Sequence, residues 1–233
     1  MNNFVVGFFM AWGNFLTLPC PYKRWDSEQK NMMLAFLPAV GAVAGLLWFV
    51  LGCVLLKLTF SPLISALVIC FFLYAICGFM HMDGFMDVND AIMSRRPLED
   101  RLRILKDSTV GAFAVVTLIF LVLGMYVSTL SFFIKPMEIS GLFPLLTIPV
   151  ASRGTSGGCV LGFKPLETSQ YLKDHEKPRQ KYIKSVALMT FIYFLVILVI
   201  AIIVARPEGI IRLVVSTLGT ACVTLLSCLY ARH

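Results

Sequence analysis

Five stretches of about twenty apolar residues dominate this sequence, at 33–56, 61–80, 110–133, 185–204 and 209–230. An α-helix needs roughly 20 such residues to cross a hydrocarbon core about 30 Å thick. Helices and closed barrels alone satisfy their own backbone N–H and C=O groups there. Charged residues make up 14% of the 233 and hydrophobic ones 58%, whereas soluble domains carry about 25% charge. Too little charge remains to cover a water-facing surface. The expectation is an all-α, polytopic helical membrane protein with about six transmembrane helices, folded as a single integral membrane domain over 1–233. The stretch 139–152 is apolar but short and is interrupted by Pro144 and Pro149. It reads as a kinked or partly re-entrant span reaching as far as Val160. The stretch 4–18 is too short to cross and reads as a helix in the interface.

A net charge of +7 invites a nucleic-acid partner, but its distribution argues against one. Sixteen of the twenty Lys and Arg fall in 20–32, in 81–109, in 153–184 and after the last span. Short basic loops beside apolar runs are topology signals, and the positive-inside rule puts that side in the cytoplasm. A multi-pass protein of the cell (inner) membrane is expected, with the 81–109 and 153–184 loops facing the cytoplasm. The seven cysteines contain no C-x-x-C pair and read as packing residues, not as a zinc site or disulfide framework. The N-terminus lacks the charged start and small-residue cleavage site of a signal peptide, so insertion is expected to use the mature helices.

The acidic residues are unevenly spread. Six of thirteen lie between Asp83 and Asp107, and Asp83, Asp87 and Asp90 are spaced i, i+4, i+7. On a helix continuing past Met80, all three carboxylates would project from one face. Like charges beside a bilayer are costly, and a hard divalent cation such as Mg²⁺, held by carboxylates, water and substrate phosphate, would offset them. The other reading is a solvated helix end balanced by Arg95 and Arg96. Interleaved Met82, Phe85, Met86 and Val88 favour a half-buried amphipathic helix, and spacing leaves both readings open.

Arg95, Arg96, Arg101, Arg103 and Lys106 suit phosphate oxygens, Arg as a planar fork and Lys as a point charge, and they serve equally as topology signals. Ser108 or Asp107 is placed to cap the helix that follows. His81 reads as a general base, as a partner to a carboxylate, or as an interfacial residue. Metal ligands and cations at a membrane surface are the inventory of phosphoryl transfer.

The string Gly78-Phe-Met-His81-Met-Asp83-Gly84-Phe-Met-Asp87-Val-Asn-Asp90 resembles the G-x-x-H-x-D-G-x-x-D-x-x-D signature of the cobalamin synthase (adenosylcobinamide-GDP ribazoletransferase) family. Other pieces keep the family's order. Phe15-Leu-Thr17-Leu-Pro19-Cys-Pro21 is similar to F-x-T-R-x-P-x-P, and Phe36-Leu-Pro38-Ala-Val-Gly41 to F-P-x-x-G. Leu102-Arg-Ile-Leu-Lys106-Asp107-Ser108-Thr-Val-Gly111 is similar to L-E-I-M-K-D-S-R-x-G, and Ser152-Arg153-Gly154-Thr155 to S-R-G-T. The resemblance covers roughly residues 10–160. It departs at Leu18, Arg103 and Thr109, where the family has Arg, Glu and Arg. The sequence ends at His233, ahead of the family's C-terminal G-x-T-G-D segment, and detectable but reduced transfer is the expectation.

The resemblance implies a Mg²⁺-dependent transfer at the inner membrane face. Adenosylcobinamide-GDP would pass its cobinamide phosphoryl group to a ribose hydroxyl of α-ribazole, or of its 5′-phosphate, releasing GMP. Asp83, Asp87 and Asp90 would be the metal ligands. His81 or Asp107 would accept the hydroxyl proton, and Arg95, Arg96, Lys106, Ser108 and Arg153 would bind substrate. Membrane lipid is the other expected partner, and nucleic acid is not one. Two alternatives stand beside this. Another Mg²⁺-dependent membrane phospho-alcohol phosphotransferase would show D-G-x-x-A-R, but Asp87 and Val88 occupy the Ala-Arg positions. A non-enzymatic cation or corrinoid transporter would carry charges deep in several spans.

Overall fold

The computed structural model describes residues 2–135, 138–164, 179–205 and 207–230. Every α or 3₁₀ element among them is helical, and no strand occurs among them. The α-helices are α1 (Asn3–Phe15), α2 (Lys30–Ala35), α3 (Leu37–Lys57), α4 (Pro62–Ile76), α5 (Met80–Met93), α6 (Leu98–Ile104), α7 (Ala112–Phe133), α8 (Phe143–Gly162), α9 (Gln180–Val204) and α10 (Pro207–Tyr230). They form two compact units, one of Met1–Lys57 with Met137–His233 and one of Leu58–Pro136. Among the described residues four helices, α3, α7, α9 and α10, are long and apolar enough to cross a bilayer, with mean hydropathy between 1.8 and 3.1. The bent pair α4–α5 is a further candidate. The chain is therefore a multi-pass helical protein.

In the first unit α8 is the central helix, packed by α3, α9 and α10. The sequence led us to expect a broken or re-entrant span at 139–152. Instead, a 3₁₀ turn at Ile139–Leu142 runs into twenty residues of continuous helix. Pro144 falls in the first turn, where its missing N–H costs nothing, and Pro149 sits inside the helix without ending it. Thirteen of the twenty residues are buried, Pro144, Thr147, Pro149 and Arg153 among them, so these positions face protein, where such backbone is tolerated. The supposed 153–184 loop is corrected accordingly: it begins as the C-terminal half of α8 and ends as the first turn of α9, while 165–178 lies outside the described residues.

Close packing of α8 on α3 depends on two glycines one helical turn apart. A Cβ on Gly41 would lie 2.7 Å from the Pro149 carbonyl oxygen, and one on Gly45 would lie 2.6 Å from that of Leu146. Small residues four apart let helix backbones approach in this way. On the far side, Phe143 and Leu146 pack with Ile197, Ala201 and Leu213. The Thr217 hydroxyl donates to Thr147 Oγ1 at 2.7 Å, pairing two buried hydroxyls across α8 and α10. The span expected at 33–56 starts later, at Leu37, because Phe36 is not helical and separates it from α2. At 13 residues, α1 is about 20 Å long, too short to cross.

In the second unit α4 pairs with α7. Cys70 Sγ donates to Thr129 Oγ1 at 3.2 Å, and Tyr126 hydroxyl to the Leu63 carbonyl at 3.4 Å. The span expected at 61–80 stops at Ile76. Gly78 N–H donates to Ala75 O and Phe79 N–H to Tyr74 O, both at 3.0 Å, the paired bonds of a Schellman ending. Gly78 has φ 64 and Phe79 φ 57, and the first of these favours glycine because left-handed backbone crowds a Cβ. The chain restarts as α5, bent 87° from α4.

Candidate active site

Asp83, Asp87 and Asp90 all lie on α5. At about 100° per residue, their positions fall within an arc of roughly 60°. Asp83 is exposed, and Asp87 and Asp90 are half-buried. Partial burial raises the Asp87 acid above the ordinary carboxylate range, and the fields of Asp83 and Asp90 raise it further. The expected face is thus formed, on a helix separate from α4. Two carboxylates one turn apart on one face form a donor set suited to Mg²⁺, which usually takes one or two carboxylates plus water and substrate phosphates. Among the described residues no three His, Cys, Asp or Glu side chains already surround a common point. Gly84, about 60° round the helix from Asp87, has nothing within 4 Å of where a Cβ would be, so the backbone beside the carboxylates is open.

Asp90 has work elsewhere. Its Oδ2 accepts the Gly111 N–H at 2.7 Å and its Oδ1 accepts the Ala114 N–H at 2.9 Å. These belong to the first turn of α7. The sequence led us to expect Ser108 or Asp107 to cap that helix. Its N-cap is Gly111, which has no side-chain acceptor, and the carboxylate of Asp90 fills the role. The sequence signal for this link was the glycine itself: a long apolar helix opening on Gly leaves its first N–H groups for a group from elsewhere.

The other expected residues of this unit lie on α5, just after it, and in and after α6. His81 stands two positions before Asp83, and on a helix positions i and i+2 do not face each other. It therefore projects from a different side of α5. Arg95 and Arg96 follow the end of α5, Lys106 follows α6, and all three are exposed. Arg103 is paired with Asp100 at 3.3 Å, an exposed pair of small energetic consequence. Asp107 Oδ1 accepts from both the backbone N–H and the hydroxyl of Thr109, at 2.9 and 2.8 Å. These bonds hold its acid below the ordinary range and make it a weak proton acceptor. Ser108 is exposed beside it.

Arg153 is not in a loop. It lies within α8 at 8% exposure, with its guanidinium 5.5 Å above the Phe15 ring. Two motif pieces far apart in sequence, Phe15-Leu-Thr17 and Ser152-Arg153-Gly154-Thr155, meet there by a cation–π contact. Gly154 packs against the side chain of Thr190 on α9.

The family profile described as cobalamin-5-phosphate synthase matches residues 7–233. An adenosylcobinamide-GDP ribazoletransferase of Clostridium perfringens is 35% identical over 173 residues, 74% of this chain and 68% of the relative. One from Clostridium botulinum is 43% identical over 122 residues, covering 52% and 48%. One from Lachnoclostridium phytofermentans is 30% identical over 199 residues, covering 85% and 73%. No solved structure matches. A profile match along nearly the whole chain, over a helical membrane fold whose signature carboxylates share one helix face, places the chain in the cobalamin-5-phosphate synthase family.

Proposed function

We propose that this protein is a membrane-bound adenosylcobinamide-GDP ribazoletransferase of cobalamin biosynthesis. The observation that carries the reading is the family match along residues 7–233 together with the signature carboxylates Asp83, Asp87 and Asp90 on one face of α5. Adenosylcobinamide-GDP contributes a pyrophosphate. A ribose hydroxyl of α-ribazole attacks the phosphorus nearer cobinamide, the bond to the GMP oxygen breaks, and the hydroxyl proton is lost to a base. Because the 5′-phosphate of α-ribazole also fits the reading, the attacking hydroxyl is one that a 5′-phosphate leaves free. The products are adenosylcobalamin, or its 5′-phosphate, and GMP.

Asp83 and Asp87 are the residues that would hold Mg²⁺, with Asp90 on the same face. Bound there, the cation supplies neutralisation of pyrophosphate charge and of the departing GMP. The chain's own cations would hold the substrate: Arg95 and Arg96 as forks and Lys106 as a point charge for phosphate oxygens, with the Ser108 hydroxyl beside them. His81 or Asp107 would accept the hydroxyl proton: His81 projects from a different side of α5 than the carboxylates, and the Thr109 bonds make Asp107 the weaker base.

The test is incubation of membranes containing the protein with adenosylcobinamide-GDP, α-ribazole and Mg²⁺. GMP and adenosylcobalamin should appear in equal amounts. Corrinoid uptake into vesicles without GMP release would overturn the reading in favour of a transporter.

The site is proposed to face the cytoplasm from the cell membrane, on the strength of Arg95, Arg96, Arg101, Arg103 and Lys106 in its own stretch of sequence. On a cysteine-free background, Glu99→Cys and Lys164→Cys should resist an impermeant thiol reagent in intact cells and react after permeabilisation. Labelling of both from outside would reverse the topology.

A further inference from the structure

We propose that Asp90 is a positioning residue, not a metal ligand: it caps α7 across the α5–α7 contact, and Gly111 is the residue that admits it. The inference rests on the reading of α5 as the metal-bearing helix and assigns one of its three carboxylates a different job.

The first N–H groups of any helix lack partners within the helix. In α7 the N-cap is Gly111, in extended backbone at φ −88 and ψ 170, with no side-chain cap of its own. Asp107, the nearest upstream carboxylate, is turned toward Thr109. Both oxygens of Asp90 supply what is missing, one to Gly111 and one to Ala114. The positive end of the α7 dipole further favours a carboxylate there. Each Asp90 oxygen accepts a short backbone bond, so part of the acceptor capacity of both is already committed to α7.

The fit is tight on both sides. A Cβ on Gly111 would lie 2.5 Å from Asp90 Oδ1 and 2.7 Å from its Cγ, so any larger residue displaces the carboxylate. Ala91 and Ala114, each next to or at a bonded position, are 2% and 1% exposed. Asp90 lies one turn beyond Asp87. Fixing Asp90 against α7 therefore fixes the rotation of α5 about its axis, and with it the direction in which Asp83 and Asp87 point.

The experiment compares Asp90→Asn, Gly111→Ala, their double variant and Asp87→Asn, all in membranes. It reads Mn²⁺ affinity by electron paramagnetic resonance, transfer kinetics, and hydrogen exchange at the start of α7. Asp90→Asn is nearly isosteric, and Gly111→Ala alters no ionisable group, so each checks the other. Both should bind Mn²⁺ within about threefold of the native protein while kcat falls by about 10²-fold, the cost of a misplaced reacting group. The amides of Gly111 and Ala114 should lose protection, and the double variant should fall little below the worse single, as residues in one contact do. Loss of Mn²⁺ affinity in Asp90→Asn as large as in Asp87→Asn would make Asp90 a ligand and overturn the proposal. Full kcat and full amide protection in Asp90→Asn would overturn it too. Unchanged Mn²⁺ binding in Asp87→Asn would sink the metal reading of α5 instead, and the exchange and kcat results would still decide the role of Asp90.

Discussion

Asp87→Asn should reduce kcat/KM for transfer by about 10³-fold or more while the protein still inserts and accumulates. Losing one metal-holding carboxylate forfeits several kcal/mol of transition-state charge stabilisation, and each 1.36 kcal/mol is tenfold in rate. Asp83→Asn should act in the same direction. Glu99→Gln and Asp100→Asn are the controls. Both residues lie in the first turn of α6, and the ion pair of Asp100 with Arg103 is exposed, so its loss is worth no more than about 1 kcal/mol. Steady-state transfer assays on purified membranes, normalised to protein present, make the comparison. Equal losses at all four positions would mean that α5 and α6 act as a general negative surface and not through specific carboxylates.

Gly45→Val should abolish accumulation of folded protein, and Gly41→Leu should do the same. In each case the added side chain meets a backbone carbonyl of α8, not a movable side chain, at 2.6 Å for Gly45 and 2.7 Å for Gly41. Overpacking usually costs about 1–3 kcal/mol when neighbours can yield, and a helix backbone in the middle of the bundle yields less. Gly124→Ala and Gly219→Ala are the contrast. Neither position has anything within 4 Å of an added Cβ, and replacing Gly by Ala inside a helix gains up to about 1 kcal/mol. Thermal unfolding in detergent should show unchanged or raised Tm for these two and no cooperative transition for the first pair. Normal accumulation of Gly45→Val would show that α3 and α8 do not pack as described.

The same contrast separates what was legible in the sequence from what was not. Hydropathy is a local sum, so the runs at 110–133 and 209–230 marked α7 and α10 to within two residues, and the run at 185–204 marked the end of α9 but not its polar first turn, which begins at Gln180. Spacing is also local, and i, i+4, i+7 put Asp83, Asp87 and Asp90 on one helical face wherever that helix started. The end of α4 was available too, since Gly78 is the residue a Schellman ending prefers, but an apolar run to Met80 outweighed it.

Tertiary structure decided the rest. α8 looked like a broken span because its apolar stretch is short and carries Pro144 and Pro149. It is a whole helix because its neighbours, not lipid, surround it, and no local property of 139–162 reports that. Arg153 changed from loop to buried helix for the same reason. Asp90 looked equivalent to Asp83 and Asp87 on the helix wheel. Only the arrival of α7, with its unpartnered N–H groups 21 and 24 residues further on, distinguishes it. Sequence periodicity fixes which side chains share a face, because that follows from backbone geometry within one element. What each side chain on that face bonds to depends on the element brought against it, and that is a property of packing.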